Sequence, residues 1–197
     1  MKKNIITIKV VAPLLAILLI VTFTSCSNNS KNNSMNQSEF DSLRNQIAKI
    51  TSDNEMIATN LATFDTLDFI VFSNQEWTRL HESHSKDIVV YMPDGSTTKG
   101  IDKHIEILKA MFVYAPNTNI KEHPFRFGSK NITAVTGIMT GTFSKPMPIG
   151  NGKYIQPTGK SFSLPMCTIG IWNNGTMSEE HLFWDNQTYM NQIGLGK

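Results

Sequence analysis

The stretch EEHLFWDNQTYMNQIGL, Glu179 to Leu195, changes its period in the middle. Up to Trp184 it reads as a strand, with Glu180, Leu182 and Trp184 on one face and His181 and Phe183 on the other. From Asn186 to Ile193 it reads as a short terminal helix. Asp185 stands at the junction. It serves there either as an acid/base group at the bottom of a pocket or as the cap of the helix, a position Asp and Asn both fill well; the two roles are compatible.

Working back from this stretch, the period of two continues through Lys160–Trp172, Thr133–Phe143 and Asn119–Phe127, runs separated by Gly, Pro and Asn clusters. Before Asn119 the period is helical. Ile57, Leu61, Phe64 and Val71 fall on one stripe with Leu67 beside it, and a short helix from Asn74 carries Trp77, Leu80 and His84. Gly100–Val113 repeats the pattern with Ile101, Ile105, Leu108 and Phe112. Between these helices DIVVYMPDGSTTKG (87–100) reads as a strand, a Pro-Asp-Gly turn and a return strand. Helices first and long strands after them predict an α+β domain, with helices packed on one face of a curved antiparallel sheet.

The N-terminus reads differently. Lys2 and Lys3 precede an apolar run, Val10 to Phe23, that ends in FTSC with a small residue before Cys26. Residues 1–25 are read as a bacterial lipoprotein signal peptide, and Cys26 as the lipidated first residue of the mature chain, anchored to a membrane of the cell envelope. Residues 26–53 begin with an Asn/Ser-rich run too polar to bury a core, and read as a tether with room for a short helix. Residues 54–197 suit one domain.

Setting aside the three lysines of residues 1–25 leaves 15 basic against 16 acidic side chains, and no run of Lys/Arg interleaved with aromatics. Nucleic acid is excluded as a partner on that ground. With Cys26 lipidated, Cys167 has no intramolecular disulfide partner. It lies in the apolar LPMCTIGIW stretch without a basic neighbour, as a buried and inert thiol does.

MPDGSTTKG (92–100) followed by an amphipathic helix, PTGKSF (157–162), and EEHLFWD…MNQIGL (179–195) together resemble the SnoaL-like polyketide cyclases, or ester cyclases, over about residues 54–196. The resemblance implies a nuclear-transport-factor-2-like cone of sheet and helices around a deep, mostly apolar pocket. It also implies that an aspartate at the position of Asp185 moves a proton in an intramolecular aldol closure, with no metal and no cofactor. Burial in such a pocket disfavours the charged carboxylate and lifts its pKa toward the useful range. Relatives of this fold commonly pair through the open face of the sheet, which implies a homodimer. Two features depart from the family pattern. Its supporting histidine is absent from MCTIGIW, where Ile169 and Ile171 stand instead, and His181 occupies the family's tryptophan position.

If Asp185 points into the cone, strand alternation sends Phe183 and His181 with it, and turns Leu182 and Trp184 to the opposite, pairing face. His123, read on a strand face with Phe125 and Phe127, and His104, at the margin of its helix's apolar stripe, complete the expected substrate pocket. Each histidine also reads as an ordinary hydrogen-bonded core residue. His81 and His84 share a helical spacing that suits metal, but without further ligands no metal site is expected. Asp68 either lines the pocket or marks the exposed edge of its helix. Three functions follow in order: an ester-cyclase-type enzyme for a small apolar or aromatic substrate, a non-catalytic protein binding such a molecule, and an interaction module built on the sheet face around Trp184.

Overall fold

The computed structural model describes residues 36–196, so Cys26 and the signal segment lie outside the described residues. The chain opens with helix α1 (Gln37–Thr66). Its start lies inside the stretch read as a tether, because the Asn36 side chain accepts from the Glu39 amide while the Glu39 side chain accepts from the Asn36 amide. That reciprocal capping box secures a first turn whose composition alone argues against order. Burial begins only near the other end of α1, at Asn60 and Phe64.

At Leu67 the helix loosens into a π-helical segment, Leu67–Phe72, which buries Leu67, Asp68, Val71 and Phe72 together. Such segments recur at functional sites. A 3₁₀ helix, Trp77–Glu82, then leads into β1 (His84–Tyr91), and the turn at Gly95 (φ 84°) returns the chain as β2 (Thr97–Lys99). Helix α2 (Ile101–Tyr114) follows.

The strands after α2 are β3 (Asn119–Ile120), β4 (Arg126–Ser129), β5 (Ile132–Thr142), β6 (Met147–Pro148), β7 (Tyr154–Ile155), β8 (Ser161–Asn173) and β9 (Thr176–Trp184), and the short α3 (Asn186–Gln192) closes the fold. The main sheet runs β2-β1-β9-β8-β5-β3, with β4 also paired to β5, while β6 and β7 form a separate hairpin. The expected α+β cone with helices against one face of a curved sheet is present. Its pairs are antiparallel except β1 with β9, which run parallel.

Two expectations fail locally. The run Asn119–Phe127 is not one strand: it breaks between β3 and β4 around His123 and Pro124, since proline has no amide hydrogen for the ladder. Phe125 and Phe127 are therefore exposed, while the His123 side chain is buried. The second failure is the parity of β9. Met177, Glu180 and Leu182 face the core, and His181 and Phe183 do not. A register shift near Ser178 lets Met177 and Glu180, three apart, share the inner face.

The inner face packs as two adjoining clusters. One gathers Phe64, Leu67, Val71, Leu80, Ile88, Val90, Trp172, Met177 and Leu182; the other gathers Phe72, Phe112, Phe143, Phe162, Leu164, Tyr189 and Ile193. Each such side chain contributes about 1.5–3 kcal/mol on burial. Leu108, Met166 and Trp184 touch both, and the cavity lies between them.

Candidate functional site

The cavity occupies about 110 Å³, several times the space one water needs. Its wall is mostly apolar, with Leu67, Phe72, Leu108, Met139, Met166 and Leu182 among the lining residues. Set into that wall are the polar side chains of Asp68, His84, His104, Thr168 and Glu180. They fall into two clusters of different construction.

Asp68 hangs from the π-helical segment and is 9% exposed. Its Oδ2 lies 2.9 Å from His123 Nε2, and His123 Nδ1 lies 2.8 Å from Asp65 Oδ1. Asp65 in turn pairs with the exposed Arg126. The His123 ring, with a side-chain exposure of 2%, is held between Phe64 and Phe69. A continuous hydrogen-bonded line thus runs from the cavity wall to solvent. Burial pushes the Asp68 carboxyl above its ordinary range, the charge of Glu180 adds to that, and the bond and charge of His123 offset part of it. Burial disfavours the charge on His123, but the hydrogen bonds and charges of Asp68 and Asp65 outweigh it and raise its pKa. The proton between Asp68 and His123 therefore has two neighbouring seats, and moving it from one to the other is the elementary step of a relay.

Glu180, 5% exposed, points inward from β9. Its Oε2 faces His104 Nε2 of α2 at 3.3 Å and His84 Nε2 of β1 at 3.5 Å. Both separations exceed the 2.7–2.9 Å or so of a charge-assisted bond. His84 Nε2, Glu180 Oε2 and His104 Nδ1 are buried without a hydrogen-bond partner. Burial drives the His104 pKa down to about 4 against the pull of Glu180, so the ring is neutral near pH 7. Burial alone would raise the Glu180 carboxyl; the proximity and charge of His84, with His104 adding, carry it below the usual range instead.

Of the residues expected in the pocket, His104 lines it. His123 touches it through Asp68. Asp185, His181 and Phe183 do not belong to it. Asp185 is exposed just beyond β9 and caps α3, its Oδ1 accepting the Gln187 amide at 2.9 Å and its Oδ2 the Thr188 hydroxyl at 2.6 Å. The Thr188 contacts first, then the Gln187 amide, hold its carboxyl below the ordinary value, the reverse of the shift a pocket acid needs. His181 stacks on Tyr91 at 4.3 Å on the outer face, and Phe183 is 51% exposed. Leu182 and Trp184, expected on a pairing face, line the cavity. The cause is parity: beyond the register shift the even residues of β9 are the inward ones, and Asp185 lies past the strand, where its carboxylate turns to the Gln187 amide and the Thr188 hydroxyl.

His81 and His84 diverge, the first bonding Thr78 within the 3₁₀ helix and the second opening β1. Sequence reading missed His84 and Glu180 as pocket groups and left Asp68 open. The available signal was the second glutamate of EEH sharing the parity of Leu182 and Trp184, the residues that turn inward.

The described fold matches solved structures closely in shape and weakly in sequence. A protein from Jannaschia sp. CCS1 described as a SnoaL-like polyketide cyclase superposes with a TM-score of 0.62 at 17% identity, covering 72% of this chain and 96% of that one. IdmH from Streptomyces antibioticus, described as a polyketide cyclase, gives 0.58 at 19% identity over 68% and 98%. A protein with a ketosteroid isomerase-like fold from Catenulispora acidiphila gives 0.54 at 11% identity over 69% and 92%. The chain matches none of the curated protein sequences. The profile of the SnoaL-like polyketide cyclases matches residues 65–193, well over half the chain and both clusters of the pocket, so the chain belongs to the SnoaL-like polyketide cyclase family.

Proposed function

We propose that this protein binds a small, largely apolar carbonyl compound in the cavity and moves a proton on the carbon next to the carbonyl, the step that opens cyclase- and isomerase-type chemistry. The observation that carries this is the line Asp68–His123–Asp65, which joins a buried carboxylate in an apolar wall to the surface. The ionised Asp68 takes the α-proton and leaves an enolate. In an aldol closure the enolate carbon bonds the second carbonyl, and the resulting alkoxide recovers a proton from Asp68. His123 keeps Asp68 connected to solvent between turnovers. Negative Glu180 across the cavity makes Asp68 a stronger base, the division of labour between paired carboxylates that such sites use. Family membership and fold support this reading.

The test is hydrogen–deuterium exchange at the α-carbon of a small aryl ketone, followed by proton NMR. Wild type should accelerate it, and Asp68→Asn should lose about 10²–10⁴ of that rate while still binding the ketone. Equal rates in the two proteins would overturn the role of Asp68. The non-catalytic alternative, supported by the apolar lining, predicts binding in native mass spectrometry and no wild-type exchange.

The lipid anchor at Cys26 is part of the same proposal and places the enzyme at the cell envelope. Cys26→Ser should shift the protein from the membrane fraction to the soluble one; unchanged fractionation and lipid labelling would refute the anchor.

A further inference from the structure

The Glu180 cluster is left without a partner by the proton relay, and its geometry asks for one. Three elements, β1, α2 and β9, each deliver one donor side chain to the same point on the cavity wall. Two imidazole nitrogens face one carboxylate oxygen, and His84 Nε2 and Glu180 Oε2 are buried with no hydrogen bond. A buried polar atom left in that condition has given up water and gained no partner, which is costly.

We propose that His84, His104 and Glu180 bind one divalent transition-metal ion of the zinc or ferrous class, with an open coordination position facing the cavity. Three donors each about 2.0–2.1 Å from a tetrahedrally coordinated ion stand roughly 3.3–3.4 Å from one another. The two nitrogen-to-carboxylate edges here are 3.3 and 3.5 Å. All three donor atoms lie within 4.8 Å of one another, close enough to share one ion. Two imidazoles and one carboxylate are the donor set of zinc hydrolases and of facial-triad iron sites, both of which keep a position open. His84 also has the outer support such ligands use. Its Nδ1 is 2.9 Å from Ser83 Oγ, whose hydroxyl donates to the Leu80 carbonyl at 3.2 Å. With the hydroxyl hydrogen so committed, Nδ1–H donates to Ser83, and Nε2 is the ring nitrogen that meets Glu180. A ring held in this way through its other nitrogen is oriented to give the Nε2 lone pair to an ion shared with Glu180.

An ion there would polarise a carbonyl oxygen in the cavity while Asp68 works on the adjacent carbon. The two claims stand apart: metal binding needs no part of Asp68, and proton exchange by Asp68 has its own readout.

The test is titration of the full-length protein, stripped with a chelator, with Co²⁺ and then Zn²⁺. We expect one Co²⁺ per chain with visible d–d absorption of low-coordinate cobalt, displacement by Zn²⁺, and a melting temperature that rises with metal concentration. Glu180→Gln and His104→Gln should each weaken binding by more than about a hundredfold, and Ser83→Ala by about tenfold or more. His81→Gln and His181→Gln should leave it unchanged. Absence of saturable binding by wild type overturns the proposal even if the substituted proteins fail to fold. So does Co²⁺ binding that survives Glu180→Gln, or that disappears with the exposed His81 or His181.

Discussion

The two ends of the cavity hold the same kinds of groups, carboxylate and imidazole, assembled to opposite standards. At the Asp68 end both bonds of His123 fall within 2.8–2.9 Å, and the line continues through Asp65 to an exposed arginine. At the Glu180 end the contacts are 3.3 and 3.5 Å and buried polar atoms are orphaned. A satisfied buried network rigidifies its surroundings, whereas an unpaired buried polar group is costly. Breaking each end separately is therefore the most direct way to test the contrast.

The largest effect should come from the satisfied end. His123→Leu leaves Asp68 buried with no counter-charge and cuts Asp65 from its ring contact, and loss of one partner of a buried pair costs about 3–5 kcal/mol. Glu180→Leu, measured without metal, removes a carboxylate held only by the longer contacts of 3.3 and 3.5 Å, and should cost less than His123→Leu. Urea unfolding of both variants decides the comparison, and equal losses would erase the distinction between the ends.

The pH dependence should separate the ends next. His104 is depressed to about 4 against an ordinary 6.5, with burial the main cause. Between those values the unfolded chain binds a proton that the folded chain refuses, so this group's effect on stability is nil above about pH 6.5 and destabilising as pH falls toward 4. At 1.36 kcal/mol per unit the loss approaches about 3 kcal/mol. His104→Gln should flatten that acid limb in chelator-treated protein. His123 runs the other way: its raised pKa contributes stability below 6.5 that is lost as pH rises through the folded value. Thermal melts from pH 4 to 9 carry both signatures, and a His104→Gln variant with the wild-type acid limb would show that burial does not hold that ring neutral.

The contrast also explains how much was legible in the sequence. Helices, long strands and their order follow from local periodicity, and Phe64, Leu67 and Val71 are core as their spacing predicts. Residues 26–53 left room for a short helix, and the start of the long α1 is carried by the capping box at Asn36 and Glu39 rather than by composition. The clusters were harder. Asp68 and His123 are 55 residues apart, and His84, His104 and Glu180 meet only when β1, α2 and β9 are assembled. A carboxylate in an alternating strand reads as its solvent face, so Glu180 was passed over, and the parity of β9 was set by Asp185, the one residue that lies beyond the strand. The motif was recognised correctly and its face was read backwards.

The smallest effect belongs to that residue, and it sharpens the comparison by standing outside both ends. Asp185 is exposed and holds the first turn of α3 through the Gln187 amide and the Thr188 hydroxyl. Asparagine keeps an oxygen for those donors, so Asp185→Asn should melt within about a degree of wild type, because Asn and Asp are near-equal caps. Alanine has no acceptor, and Asp185→Ala should melt a few degrees lower. Neither change reaches the cavity, so α-proton exchange and Co²⁺ binding should stay at wild-type levels in both. An Asp185→Asn protein that melts normally but has lost about 10²-fold or more in exchange would return the proton-moving role to the end of β9. It would also mean that the face of the sheet opposite the cavity carries the chemistry. Against that stands the carboxyl's own environment, since bonds to two donors hold it below the ordinary range and make it a weak base.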